Sequence, residues 1–166
     1  MFDVAIVDYK MGNLFSVKRA CEYAGLRAMI TSEPSVIRDA DAAILPGVGA
    51  FGDAMFALKE LGLVEPILEV ISSGRPFFGI CLGMQLLMTE SYEFGRHNGL
   101  GVFKGAVKRF VQPIESSERV LKVPQVGWNT LYSPKKDDGN NKKFWSTMLE
   151  GIKEGACFGE LPDESG

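Results

Sequence analysis

Apolar residues in this chain come in short continuous runs separated by longer stretches with a helical repeat. Val4-Ala5-Ile6-Val7 is a run of the first kind, the pattern of a strand buried on both faces of a parallel sheet. Residues 14–24 then set Leu14, Val17, Cys21 and Ala24 at helical spacing, with Lys18, Arg19 and Glu22 off that stripe. Asn13 stands where a helix N-cap belongs and Gly25 where a C-terminal glycine belongs. Residues 27–31 predict a second strand, and Ser32-Glu33-Pro34 opens a short helix running to about residue 39. Residues 42–45 predict a third strand that stops at Pro46, and residues 53–61 and 63–72 predict helices parted by Gly62, the first capped by Asp53. Arg75-Pro76-Phe77-Phe78 reads as another buried strand, and residues 84–88 as helix. Strand and helix alternating in this order predict an α/β fold: a doubly wound, mostly parallel sheet with helices on both faces. Sites in such sheets form beyond the carboxyl ends of the strands.

The second half is less regular. Residues 91–105 hold four glycines and His97 and read as loop, followed by strands over 106–111 and 120–123. Residues 135–143 form a polar, charged tip and 144–150 a short helix or turn. Residues 156–158 begin like a strand before an acidic, irregular tail over 159–166, and no internal repeat is present.

Composition narrows the class. At 166 residues and 46% hydrophobic the expectation is one domain, 1–166, with a substantial core. A net charge of −3 without a basic stripe disfavours nucleic acid as a partner. Cys21, Cys81 and Cys157 are too few and too irregularly spaced for a disulfide framework, which points to a reducing compartment. No zinc-type spacing occurs and His97 is the single histidine, so neither a metal nor another cofactor is expected. The first residues lack the basic start and apolar core of a signal peptide, and no apolar run is long enough to span a bilayer. The expected location is therefore the cytoplasm.

Two loops carry candidate chemistry. Gly79-Ile80-Cys81-Leu82-Gly83 lies between a strand and a helix, the layout of a nucleophile elbow with cysteine in place of serine. A nucleophile raised on a tight turn occupies strained backbone, and its flanking residues must let other backbone approach closely. A helix N-terminus beyond the sulfur would favour thiolate, the reactive form. A buried cysteine in a tight turn fits the same five residues. Pro46-Gly47-Val48-Gly49-Ala50-Phe51-Gly52-Asp53 is the second loop. It lacks the Lys-Ser/Thr pair of a phosphate-binding P-loop and the G-x-G-x-x-G spacing of a dinucleotide site. Backbone N–H groups offered to a developing oxyanion fit it, with the Val48 peptide free to rotate between Gly47 and Gly49, and so does a plain turn. Both loops lie at the edge where sites form. Cys21 reads as core and His97 as an exposed loop residue.

Three segments in this order, PGVG at 46–49, GICLGMQ at 79–85 and VPQVGWN at 123–129, resemble the glutaminase subunit of imidazole glycerol phosphate synthase, a triad-type glutamine amidotransferase family of histidine biosynthesis. Asp8 through Asn13, and Ser16, are similar to that family as well, and the likeness runs to about residue 158. The resemblance implies hydrolysis of L-glutamine to glutamate and ammonia. A separate cyclase subunit, a (β/α)₈ barrel, receives the ammonia through a protected passage. It implies that Cys81 attacks the side-chain amide to give a glutamyl thioester, which divides one hard step into two easier ones. Leu82 and Val48 N–H would hold the oxyanion, the latter mispointed until the partner is loaded, so that Gly47-Val48-Gly49 acts as a switch. Gly49, Gln85 and Glu93 match substrate-contacting positions, and Trp128 and Asn129 match the face that meets the cyclase. Gln85 read alone is equally an exposed helix amide, and Trp128 a packed ring.

The sequence departs from the family at its end. The family carries its general base and the glutamate that orients it on an H-x-E motif after a strand that would begin near residues 156–158, and here the chain runs on as Gly159-Glu160-Leu161-Pro162 without it. The expectation is a chain shortened at its carboxyl end, inactive or nearly so in steady state and prone to self-association through uncovered surface. A non-catalytic docking module for the cyclase, or another elbow-cysteine hydrolase, are the alternative readings.

Overall fold

The computed structural model describes residues 3–109 together with 115, 116, 119 and 120. The chain divides into two compact units, Met1–Arg109 and Phe110–Gly166. In the second unit the described residues form a short antiparallel pair, Glu115–Ser116 with Arg119–Val120. Trp128, Asn129, Cys157 and the expected tail lie outside the described residues.

The first unit is built on a four-stranded parallel sheet. Its strands are β1 (Asp3–Val7), β2 (Arg27–Thr31), β3 (Ala42–Leu45) and β4 (Phe77–Gly79), in the spatial order β2-β1-β3-β4. Chain order reverses direction between β1 and β3, which is the switch point of a doubly wound sheet. Period-two alternation decides the two faces. Val4 and Ile6 point one way, with Ala28 and Ala42, and pack on Cys21 of helix α1 (Leu14–Tyr23). Ala5 and Val7 point the other way, with Ala43 and Leu45. There they meet Ile37 of α2 (Pro34–Asp39), Ala54 and Leu58 of α3 (Phe51–Glu60), and Ile67 and Val70 of α4 (Val64–Ser72). Helices thus cover both faces, as the alternation of elements predicts. Leu58, Ile67 and Val70 are fully buried, each contributing roughly 1.5–3 kcal/mol by leaving water.

Helix ends follow local chemistry. Asn13 accepts a side-chain hydrogen bond from Ser16 N, and Gly25 takes a φ of +77° just past α1. Ala24, expected on the inner stripe, is exposed, because the helix has ended and Leu26 turns in to pack instead. Asp53 is not the cap of α3: Ala50 holds that position and Asp53 falls in the first turn, where its charge suits the helix N-terminus.

Beyond β4 the structure differs from the sequence reading. The helix after the elbow is one turn, α5 (Leu82–Gln85), and Met88 opens a strand, β5 (Met88–Ser91). Residues 91–105 are not simply loop. They contain β6 (His97–Asn98) and the start of β7 (Phe103–Val107), which flank β5 in a small three-stranded sheet. Leu86 and Leu87, good helix formers, instead make a turn and Met88 enters β5, because pairing of 88–91 with residues 97–107 satisfies the strand's backbone groups; propensity is a weak prior beside that.

Candidate active site

Cys81 sits at the top of the turn between β4 and α5. Its φ of +53° and ψ of −115° lie outside the regions that residues with a Cβ ordinarily adopt, and the residue is exposed. This is a strained, solvent-facing thiol, not one sealed in hydrocarbon. Three contacts keep the turn this tight. Ile80 N donates to Leu45 O (3.0 Å), Gly83 N to Ile80 O (2.9 Å) and Met84 N to Cys81 O (3.0 Å). The flanking glycines are demanded by approach. A Cβ on Gly79 would come within 2.7 Å of Met84 Cα, and one on Gly83 would overlap the Leu45 carbonyl oxygen. Leu82 N–H, first in its turn, has no intrahelical acceptor and stands next to the thiol in sequence. The extended dipole expected of a longer helix is missing, since four residues sum few peptide dipoles; the local N–H groups supply what field there is.

The Pro46–Gly49 segment leaves β3 beside this turn. Gly47 is buried against the elbow, where a Cβ would meet Gly83 N at 2.9 Å, Leu82 Cβ at 3.0 Å and the Tyr9 hydroxyl at closer range still. Val48 is 56% exposed, and Gly49 has a φ of +103°, open to glycine alone at no cost. The two loops singled out by sequence therefore share one crevice at the carboxyl ends of β3 and β4. Tyr9, inside the 8–13 segment but given no role by the sequence, packs against Pro46 and Gly47. It is fully buried, its hydroxyl donates to Pro46 O at 2.9 Å, and burial, then the neighbouring Cys81, push its phenol up to about 12.

Next along the chain from Gly49 a cavity of about 350 Å³ opens at the start of α3, lined by residues 50–53 with Glu93, Phe94 and His97. That is at the small end of the ligand-pocket range, roughly 300–1,000 Å³. Glu93 is half-buried, with its N–H turned to Ser91 Oγ (3.4 Å), and Gln85 is half-buried on α5. His97 is not the exposed residue expected. It is half-buried, its Nε2 lies 3.3 Å from Phe94 O, and its ring rests on Gly52, where a Cβ would come within 2.7 Å of Cε1. Single-sequence reasoning had no signal for this, because the contact joins positions 45 residues apart through the small sheet. A larger hollow, about 550 Å³, lies at the opposite end of the strands near Asp3 and Arg27, away from Cys81.

Comparison with known proteins agrees with this geometry. Residues 3–124 match the family described as the CobB/CobQ-like glutamine amidotransferase domain. The chain is 48% identical over 157 residues to imidazole glycerol phosphate synthase subunit HisH of Geobacter sulfurreducens, an alignment covering 90% of this chain and 75% of the relative. It is 52% identical over 128 residues to the HisH subunit of Syntrophotalea carbinolica, covering 77% of this chain and 62% of that one. A crystal structure of a glutamine amidotransferase matches with a TM-score of 0.55 at 23% identity, over 64% of this chain and 56% of that one, a likeness of fold.

Proposed function

Since the chain belongs to the glutamine amidotransferase family and, within it, to the HisH subunits of imidazole glycerol phosphate synthase, we propose that it carries the glutaminase half-reaction of histidine biosynthesis. Cys81 Sγ attacks the side-chain amide carbon of L-glutamine. The oxyanion that develops is held by Leu82 N–H and, once the Gly47-Val48-Gly49 segment is turned inward, by Val48 N–H. The amide nitrogen takes up the proton that the Cys81 thiol gives up and leaves as ammonia, a thioester remains on Cys81, and water cleaves it, its hydroxyl completing glutamate and its proton returning to the sulfur. Gln85, Glu93 and Gly49 hold the substrate, with its amino-acid end in the cavity beside α3. Ammonia passes to the cyclase partner, a (β/α)₈ barrel, for which Trp128 and Asn129 form the contact face. Both described cysteines are free thiols, which suits a reducing compartment such as the cytoplasm.

The observation that carries this reading is the strained, exposed Cys81 set against Gly47 and Leu82. His97 is the single histidine, and no imidazole is assigned to the thiol. Alkylation by a glutamine analogue needs only the thiol and the N–H groups beside it, so it reports on this crevice directly. The test is alkylation of Cys81 by a glutamine-derived chloromethyl ketone, read by mass spectrometry, beside ammonia release with the cyclase added. Labelling is expected at Cys81 and slowed by free glutamine. Labelling indifferent to glutamine would remove the substrate pocket from this crevice.

A further inference from the structure

The Pro46–Gly49 segment is gripped from outside its own loop, and the grip has no part in the chemistry described above. From the end of β1, Tyr9 reaches across 37 positions of sequence to donate to Pro46 O at 2.9 Å. Two residues on, Met11 Cε lies 2.8 Å from where a Cβ on Gly49 would stand. Gly12 runs alongside, with a Cβ position 3.5 Å from Pro46 Cβ and 3.6 Å from Gly47 N. Residues 9–12 thus lie along residues 46–49 and hold them at both ends.

The grip is itself fixed by strain. Lys10, between the two contacts, has a φ of +71°, uncommon for any residue with a Cβ. Asp8 holds it there: its carboxylate accepts from Lys10 N at 2.9 Å and lies 3.7 Å from Lys10 Nζ. This kink is what sends Tyr9 inward to Pro46 and Met11 onto Gly49. Because the phenol stays protonated up to about pH 12, the Tyr9 hydrogen bond persists across the ordinary pH range.

We propose that Tyr9, seconded by Met11, is the positioning residue of the oxyanion segment. Its hydroxyl pins the peptide before Gly47, Met11 bears on Gly49, and backbone rotation is confined to the Val48 peptide between them. This rests on the glutaminase reading, and it adds residues that touch neither substrate nor sulfur. A fixed frame around one rotating peptide lowers the cost of aiming its N–H at a developing charge. A tyrosine that merely filled space would leave that aim unaffected.

The discriminating measurement is a ratio of two alkylation rates at Cys81 in the full chain. A glutamine-derived chloromethyl ketone reacts through an oxyanion; iodoacetamide reacts by direct displacement and forms none. Tyr9→Phe keeps the ring and deletes the donor. It is expected to lower the maximal chloromethyl ketone rate about tenfold, with half-saturating reagent concentration unchanged and the iodoacetamide rate within about twofold. Met11→Ala is expected to lower the same ratio by a smaller factor, and decides alone if Tyr9→Phe does not fold. An unchanged ratio, or an equal fall with both reagents, overturns the proposal. Wild-type labelling that glutamine does not slow overturns the glutaminase reading instead, whatever the variants do.

Discussion

Cys81 is costly where it stands. A non-glycine residue at positive φ outside the normal regions stores about 1–3 kcal/mol, which the hydrogen bonds from Ile80, Gly83 and Met84 must offset. Glycine would lose more backbone entropy on folding, about 0.5–1 kcal/mol, yet would relieve that strain. Cys81→Gly is therefore expected to be more stable than Cys81→Ala by about 1 kcal/mol in urea denaturation, while both abolish labelling by the chloromethyl ketone. Equal midpoints would mean that the turn is not strained. G-x-C-x-G could be read from sequence because the motif advertises its own turn. Tyr9 and His97 could not. Each acquires its place from a partner far along the chain, Pro46 for one and Gly52 for the other, and no local pattern announces such a pairing.

Among the elements, those with a strong local signal formed where expected. Asn13 caps α1 by accepting from Ser16 N at 3.3 Å, an exposed and rather long bond. Asn13→Ala should lower stability by about 1 kcal/mol, measured by thermal or urea melting, without altering the reactivity of Cys81. A change in that reactivity would mean that α1 also disciplines the 9–12 segment before it. Elements governed by pairing were harder to read. Residues 86–88 have helical preference, but Leu100 N donates to Leu86 O (2.8 Å) and Phe103 N to Leu87 O (3.0 Å), and these bonds from residues 14 and 16 positions on end the helix after one turn. Asp53 lost the cap of α3 to Ala50 in a similar way. The chain turns into the helix one residue after Gly49 releases it, so Asp53 is already inside the first turn.

For the first unit as a whole, the sheet order sets what is protected. β1 is hydrogen-bonded on both sides, to β2 and to β3, and its Val4–Val7 side chains are all buried. Amide exchange is expected to be slowest in β1 and β3 and faster in β2, which pairs only on one side among the described residues. Uniform protection across the strands would argue against this order. The sequence by itself determined the alternation of buried strands and amphipathic helices, the cap and terminal glycine of α1, and the glycine-flanked cysteine with its companion PGVG loop. Those features are local, written in period, propensity and the steric freedom of glycine. Only the tertiary structure decided that Tyr9 and Met11 hold the PGVG loop, that His97 rests on Gly52, and that the chain from Met88 pairs as strand. These outcomes depend on contacts between positions tens of residues apart, whose energy exists only once the sheet has brought them together.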